Sequence, residues 1–202
     1  MEFFKAKPSG IKFWTNILVA FIPAAVLGFL FNDNIDKYLL NPTTVALALV
    51  VGGILMIIIE HKFRNEDKTK SVEKISIKQA FKIGCFQCFA LWPGMSRSAS
   101  TIMGGWISGV STVAATEFSF FLAIPTMVGA TALTLFKNGM NFSSGEIIIL
   151  FIGFVTAFLV ALIVVEKFVS YLKKKPMKFF AIYRIIVGIA LLFIIKFGGI
   201  SL

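Results

Sequence analysis

The sequence predicts an all-α polytopic membrane protein, with about five transmembrane helices and one re-entrant helical hairpin, as a single domain over residues 1–202. Three observations carry this reading. Hydrophobic residues make up 57% of the chain, at a mean hydropathy of +0.88, more apolar than a soluble domain of this length sustains. The charged residues, 15% of the total, fall in the gaps between long apolar runs. Those runs are continuous rather than alternating, so helices rather than barrel strands must satisfy the backbone in lipid.

Five runs reach the roughly 20 apolar residues a bilayer crossing needs: near 13–31, 43–60, 112–135, 146–165 and 179–197. Asn41 and Pro42 read as an N-cap followed by proline in the first turn of the second helix. Ser143 with Glu146 makes a capping box for the fourth. Between the second and third runs lie residues 61–110, too polar at their start and too interrupted later to be a simple span.

Lys and Arg alternate along the gaps. The N-terminal tail carries Lys5, Lys7 and Lys12, and the loop over 61–82 is rich in Lys and Arg. A third cluster at 167–178 includes Lys173, Lys174 and Lys175. The gaps near 32–42 and 137–145 carry only Lys37 and Lys137. Positive residues favour the cytoplasmic side, so the N-terminus is expected in the cytoplasm and the C-terminus outside. Residues 81–110 then begin and end on the cytoplasmic side. With about 30 residues at roughly 1.5 Å each, two helical arms reach only part-way through the membrane. Ser76 and Gln79 form a capping box that starts the first arm. Pro93 stops it, and Gly94 allows a turn with positive φ. Ser96 caps the second arm, along which Ser100, Gly104, Gly105, Ser108 and Gly109 permit close packing.

The turn holds "WPGMSRSAST", residues 92–101. Non-helical backbone at membrane depth survives only where it is buried or lines a wet cavity, and an arginine there needs an anionic partner. A helix N-terminus adds free N–H groups and a positive dipole end. Arg97 brings a fork suited to phosphate or carboxylate, and Ser96, Ser98, Ser100 and Thr101 bring hydroxyls. Positions 97 and 101 share a helix face, so Ser96, Arg97 and Thr101 form the best set for an anion. The bland alternative is that Arg97 pairs with Glu117. Arg184 is expected to snorkel toward the cytoplasmic surface. Pro125 reads equally as a kink for packing or as a hinge.

Other chemistries are weaker. The net charge of +10 comes from short loops with no basic and aromatic groove, so no nucleic-acid partner is expected. Cys85 and Cys88 lack the further Cys or His ligands of a zinc site and read as packed small side chains. His61, beside Lys62 and Arg64, reads as an interfacial residue.

"FKIGCFQCFALWPGMSRSASTIMGGWISGVS", "EFSFFLAIPTMVGATAL" and "FAIYRIIVG" resemble the undecaprenyl-diphosphatase family, the bacitracin-resistance proteins, in order and over nearly the whole chain. The resemblance implies a bacterial cell-membrane hydrolase that converts undecaprenyl diphosphate to undecaprenyl phosphate and phosphate, recycling the lipid carrier for peptidoglycan and other wall polymers. It implies catalytic roles for Ser96, Arg97 and Thr101, with Ser98, Gly94 and Gln87 binding substrate, and a divalent cation, Mg²⁺ or Ca²⁺. A homodimer remains open. The family's acidic ExxxE-like pattern and Ser-Ser-Thr-Gly-His stretch find no counterpart here, and His61 does not match the family's site histidine. The chain thus aligns from a point well inside the family, and its nucleophile, general base and metal ligands are not identified. Gln87 sits in the hairpin where an acidic residue would be comparable, but an amide cannot act as a general base. Rival readings are a polyprenyl-phosphate-binding transporter or flippase, an inactive truncated paralogue, and a structural subunit, which leaves a buried Arg97 unexplained. The type 2 phosphatidic acid phosphatases need a histidine where this chain has Met103.

Overall fold

The computed structural model describes residues 10–64, 69–139, 142–174 and 176–197. Seven α-helices follow one another among them: α1 (Ile11–Leu39), α2 (Pro42–Phe63), α3 (Ile77–Gln87), α4 (Arg97–Ile107), α5 (Thr112–Asn138), α6 (Ser144–Lys174) and α7 (Lys178–Phe197). Five of these, α1, α2, α5, α6 and α7, are long and apolar enough to cross a membrane. The chain is an all-α polytopic membrane protein. Most of the helices extend a few residues past the predicted runs, α1 and α6 the furthest, to Leu39 and Lys174.

The local signals act as expected. The Asn41 side chain accepts the Thr44 N–H at 3.0 Å, with Pro42 opening α2. In the capping box of α3, Ser76 N donates to Gln79 Oε1 at 2.9 Å and Gln79 N to Ser76 Oγ at 3.3 Å. Ser143 N donates to Glu146 Oε2 at 2.7 Å and Glu146 N to Ser143 Oγ at 3.3 Å. Each cap satisfies N–H groups that the first helical turn leaves without acceptors.

α3 and α4 form a helical hairpin whose two feet are tied together. Thr69 N donates to Gly109 O at 3.2 Å and Ser111 N to Thr69 O at 3.0 Å. Gln79 Nε2, reaching from the first turn of α3, donates to Ser108 O at 3.0 Å. The α-helical part of the first arm ends earlier than Pro93 alone would require. It stops at Gln87, tightens into a 3₁₀ turn over Cys88–Leu91, and becomes extended at Trp92 (φ −77°, ψ 112°). Proline disfavours helical geometry in the residue before it, and 3₁₀ turns commonly finish helices under such constraints.

The hairpin is the centre of the packing. Ile83, Ile102, Met103 and Trp106 are fully buried with Ile17, Phe118 and Leu122 from α1 and α5. Small residues allow this closeness: a Cβ on Gly104 would meet the Phe86 side chain at 2.7 Å, and one on Gly105 the Ala115 side chain at 2.5 Å. α7 lies along α2, where Gly188 faces Val50 and the Ala46 carbonyl. α6 packs on α5 and is largely exposed apart from its C-terminal part, where Val169 and Leu172 are buried.

The gaps sort to two ends. Lys137 Nζ meets Asp33 Oδ1 at 2.6 Å, joining the two Lys-poor gaps. At the opposite end Asn16 Nδ2 donates to Ile75 O at 2.7 Å, and Glu60 Oε1 accepts from both Met177 N and Arg64 Nη1 at 2.7 Å. Cys85 is exposed on α3 and Cys88 is half-buried, both as free thiols, so Cys85 is not the packed side chain that its apolar neighbours suggest.

A Cβ on Gly84 would lie 2.4 Å from the Ala20 carbonyl oxygen and 2.8 Å from its Cα, backbone atoms that cannot swing aside. Gly84→Ala is expected to destabilise the α1–α3 crossing by about 1–3 kcal/mol, seen as a lower melting temperature in detergent. Gly153→Ala, with nothing within 4 Å, serves as the control and should melt no lower than the parent protein.

Candidate functional site

A cavity of about 490 Å³ lies between α1, the upper part of the hairpin and α5. Its wall is mainly apolar, with Phe21, Leu91, Met127 and Leu133 among the lining residues. The polar groups on it are few: Arg97, Gln87 and Thr126 at the level of the hairpin tip, and Asn32 and Thr134 toward the Lys-poor end. An apolar enclosure with a small number of convergent polar groups is the usual form of a small-molecule or lipid site.

Arg97 opens α4, and its side chain crosses to α5. Nη1 donates to the Ser119 carbonyl at 2.6 Å and lies 3.4 Å from Ser119 Oγ. These partners are neutral. Among the described residues the hydrogen-bond partners of Arg97 are these Ser119 oxygens, and no carboxylate pairs with it. A guanidinium that is half-buried beside an apolar cavity without a countercharge is costly, and the cost falls when an anion binds.

Ser96 precedes α4 with φ 64° and ψ 111°, the one non-glycine residue with positive φ among those described. A serine held in that region stores strain of order 1–3 kcal/mol, which here accompanies a tip that turns sharply into a helix. Ser96 Oγ accepts the Ala99 N–H at 3.4 Å, and the Ser96 carbonyl accepts both the N–H and the hydroxyl of Ser100 at 3.0 Å. The N–H groups of Arg97 and Ser98 in the first turn have no intrahelical acceptors by helix geometry. Together with the helix dipole they favour negative charge at this end.

The predicted site residues divide into those that reach the cavity and those that do not. Arg97 and Gln87 line it. Gln87 is buried, its Oε1 lying 3.5 Å from Thr126 Oγ1 and its Nε2 without a partner. Ser96 is exposed at the helix start and Ser98 half-buried beside it. Thr101 shares the Arg97 face as expected but is fully buried against α5, its hydroxyl 2.7 Å from Ser119 Oγ and within 3.1 Å of the Arg97 and Ser98 carbonyls. Gly94 lies in the turn at φ 98°, where a Cβ would meet the Val45 carbonyl at 2.6 Å. It shapes the tip rather than lining the cavity.

Three contributors escaped the sequence reading. Ser119 and Thr126 are hydroxyls in the apolar run "EFSFFLAIPT", a signal that was present but has no direction without a neighbour to aim at. Arg184 does not snorkel. It turns inward from α7, and Nη2 donates to the Gly94 carbonyl at 2.6 Å, in space that Gly52 leaves open on α2. Its side chain is buried with Nε and Nη1 unpartnered. The pull is the Gly94 carbonyl, which the broken helix leaves without a ladder partner. Trp92 Nε1 adds a second tie, donating to the Thr44 carbonyl at 3.1 Å.

Metal binding is not favoured by this donor set. Hard divalent cations take several oxygen ligands, typically with carboxylates among them. Around Arg97 stand hydroxyls and one amide, and no cluster of three or more His, Cys, Asp or Glu occurs among the described residues.

Arg184→Met removes the donor to the Gly94 carbonyl while keeping much of the side-chain volume. A buried carbonyl left unpaired costs about 1–3 kcal/mol, so the melting temperature in detergent should fall. A variant that melts with the parent protein would show that the tie carries no weight.

Comparison with known proteins places this chain in a family. Residues 1–190 match the model of the bacitracin resistance protein BacA family. An undecaprenyl-diphosphatase of Clostridium tetani is 58% identical over 201 residues, covering 100% of this chain and 74% of that protein. An undecaprenyl-diphosphatase 2 of Clostridium acetobutylicum is 60% identical over 91% of this chain and 60% of its own length. An undecaprenyl-diphosphatase of Clostridium perfringens strain SM101 is 54% identical over 93% of this chain and 63% of its own length. The chain therefore spans between three-fifths and three-quarters of these relatives. On a match that covers nearly all of it, the chain belongs to the bacitracin resistance protein BacA family.

Proposed function

We propose that this chain serves the hydrolysis of undecaprenyl diphosphate to undecaprenyl phosphate and inorganic phosphate, the activity named for its relatives. The observation that carries the reading is Arg97, a guanidinium on the wall of a largely apolar cavity whose hydrogen-bond partners among the described residues are neutral. An amphipathic substrate matches both halves of that environment. Its phosphates compensate the charge, and its isoprenoid chain lies against Phe21, Leu91, Met127 and Leu133.

In this reading the hairpin is re-entrant, with its feet at the cytoplasmic, Lys-rich end and its tip at membrane depth. The N-terminus of the chain is cytoplasmic and the C-terminus outside. The diphosphate sits at the start of α4, where the first-turn N–H groups, Ser96 and Ser98 donate to its oxygens. Arg97 contacts the terminal phosphoryl group, and Gln87 Nε2 supplies a further donor from the opposite wall.

Hydrolysis forms a bond from water oxygen to the terminal phosphorus and breaks the bond from that phosphorus to the bridging oxygen, which leaves with the lipid monophosphate. Negative charge shifts onto the bridging oxygen and spreads over the equatorial oxygens. Fixed donors aimed at those atoms stabilise the transition state more than the ground state. Gln87 orients but does not accept the proton from water, and both water hydrogens leave on the released inorganic phosphate. A divalent cation, expected from the family resemblance, would find only hydroxyl and amide oxygens of this site, so no step is assigned to it.

Phosphate release from a long-chain polyprenyl diphosphate, measured in membranes carrying the protein, tests the proposal. Arg97→Ala should lower kcat by about 10²–10³, the usual effect of removing a transition-state donor. Arg97→Lys, which keeps the charge but loses the fork, should fall between the two. Release at the parental rate from Arg97→Ala would overturn the reading.

A further inference from the structure

We infer that Ser119 on α5 is the residue that orients Arg97, and that Thr101 acts through it rather than on the substrate. The inference rests on the phosphate reading of Arg97 and adds how its guanidinium is aimed.

The donors and acceptors around one buried hydroxyl decide which way its proton points. Ser119 is 2% exposed and Thr101 is fully buried, so water does not complete their hydrogen bonds. Their hydroxyl oxygens lie 2.7 Å apart, and one proton must lie between them. Thr101 Oγ1 also lies 3.0 Å from the Arg97 carbonyl and 3.1 Å from the Ser98 carbonyl, groups that can only accept. Thr101 thus has other acceptors for its proton, whereas among the described residues the acceptor in reach of the Ser119 proton is Thr101 Oγ1. The arrangement that satisfies every donor has Ser119 donating to Thr101 and Thr101 donating back to its own helix. The lone pairs of Ser119 Oγ then face Arg97 Nη1 at 3.4 Å, while its carbonyl accepts from the same nitrogen at 2.6 Å.

This geometry fixes one edge of a planar group. Nη1 is spent on Ser119, so the fork left for a ligand is made by Nε and Nη2. A guanidinium has a rigid plane, and two points of attachment on Nη1 set the direction of the remaining donors. The clamp also spans the hairpin and α5, so the alignment of Arg97 with the start of its own helix depends on a residue from another span. Neither Ser119 nor Thr101 lines the cavity. Both are positioning residues.

Kinetics of phosphate release in membranes, with melting temperature beside them, test this. Ser119→Ala keeps the carbonyl and loses the hydroxyl, and Thr101→Val keeps the shape of its side chain and loses the hydroxyl. Each should lower kcat by about tenfold, the scale for a lost hydrogen bond to a charged group or a misplaced contact, with KM within about twofold. Thr101→Ser retains the hydroxyl and should restore most of kcat. In the Arg97→Lys background, which has no fork to aim, Ser119→Ala should add little. If Arg97 variants lose activity while Ser119→Ala and Thr101→Val keep the parental kcat, the clamp is wrong and the phosphate reading stands. A Ser119→Ala loss of the same factor in both backgrounds would mark a structural role and overturn the inference. Parental rates from the Arg97 variants would instead remove the reading beneath it.

Discussion

A backbone that breaks its helix inside a bundle must find partners for the N–H and C=O groups it releases, because neither lipid nor packed side chains supply them. The hairpin tip of this chain, residues 92–96, lives under that constraint. Its backbone groups are met from two directions: the tip closes on itself through Met95 N to the Trp92 carbonyl at 3.0 Å, and α7 sends Arg184 to the Gly94 carbonyl. The Trp92 indole adds a side-chain tie to α2, donating to the Thr44 carbonyl. The glycines of α2 and α4 and the tying of the hairpin feet at Thr69 all serve to bring those partners close enough.

The same constraint divides the work of two arginines, Arg184 buried and Arg97 half-buried. Arg184 spends a donor on the protein backbone and stabilises the turn from behind. Arg97, on the other side of the tip, spends Nη1 on α5 and keeps the rest of its fork for the cavity. Buried cations without carboxylate partners are rare because the desolvation cost is large. Arg184 meets that cost in part through the Gly94 carbonyl of an interrupted helix, and Arg97 in part through the Ser119 carbonyl; in the proposed function a substrate phosphate supplies the rest. The cavity is therefore an interface between the hairpin and the long helices, and α5 lines it alongside the motif.

Much of the fold was legible in the sequence for reasons that are local. The spans follow from uninterrupted apolar length, and the caps at Asn41, Ser76 and Ser143 follow from side chains that answer the first-turn N–H groups of their own helices. Pro93 and Gly94 announce a break within a few residues of where it occurs, and the charge pattern of the gaps sorts them to the two ends joined by Lys137–Asp33 and Met177–Glu60. Arg97 itself was legible because a cation beside a helix start in apolar sequence is costly to bury unless an anion meets it.

The sequence by itself thus determined the class of the protein, the order of its spans, the position of the break and the presence of a cation beside it. Tertiary structure alone decided where those groups point. It turned Thr101 away from the cavity toward Ser119, drew Arg184 inward through the space left by Gly52, and brought Gln87 and Thr126 to one wall. The physical reason is range. Caps and hydropathy act within a few residues of chain, whereas the direction of a buried polar side chain is set by the nearest complementary group, and that group comes from a helix remote in sequence.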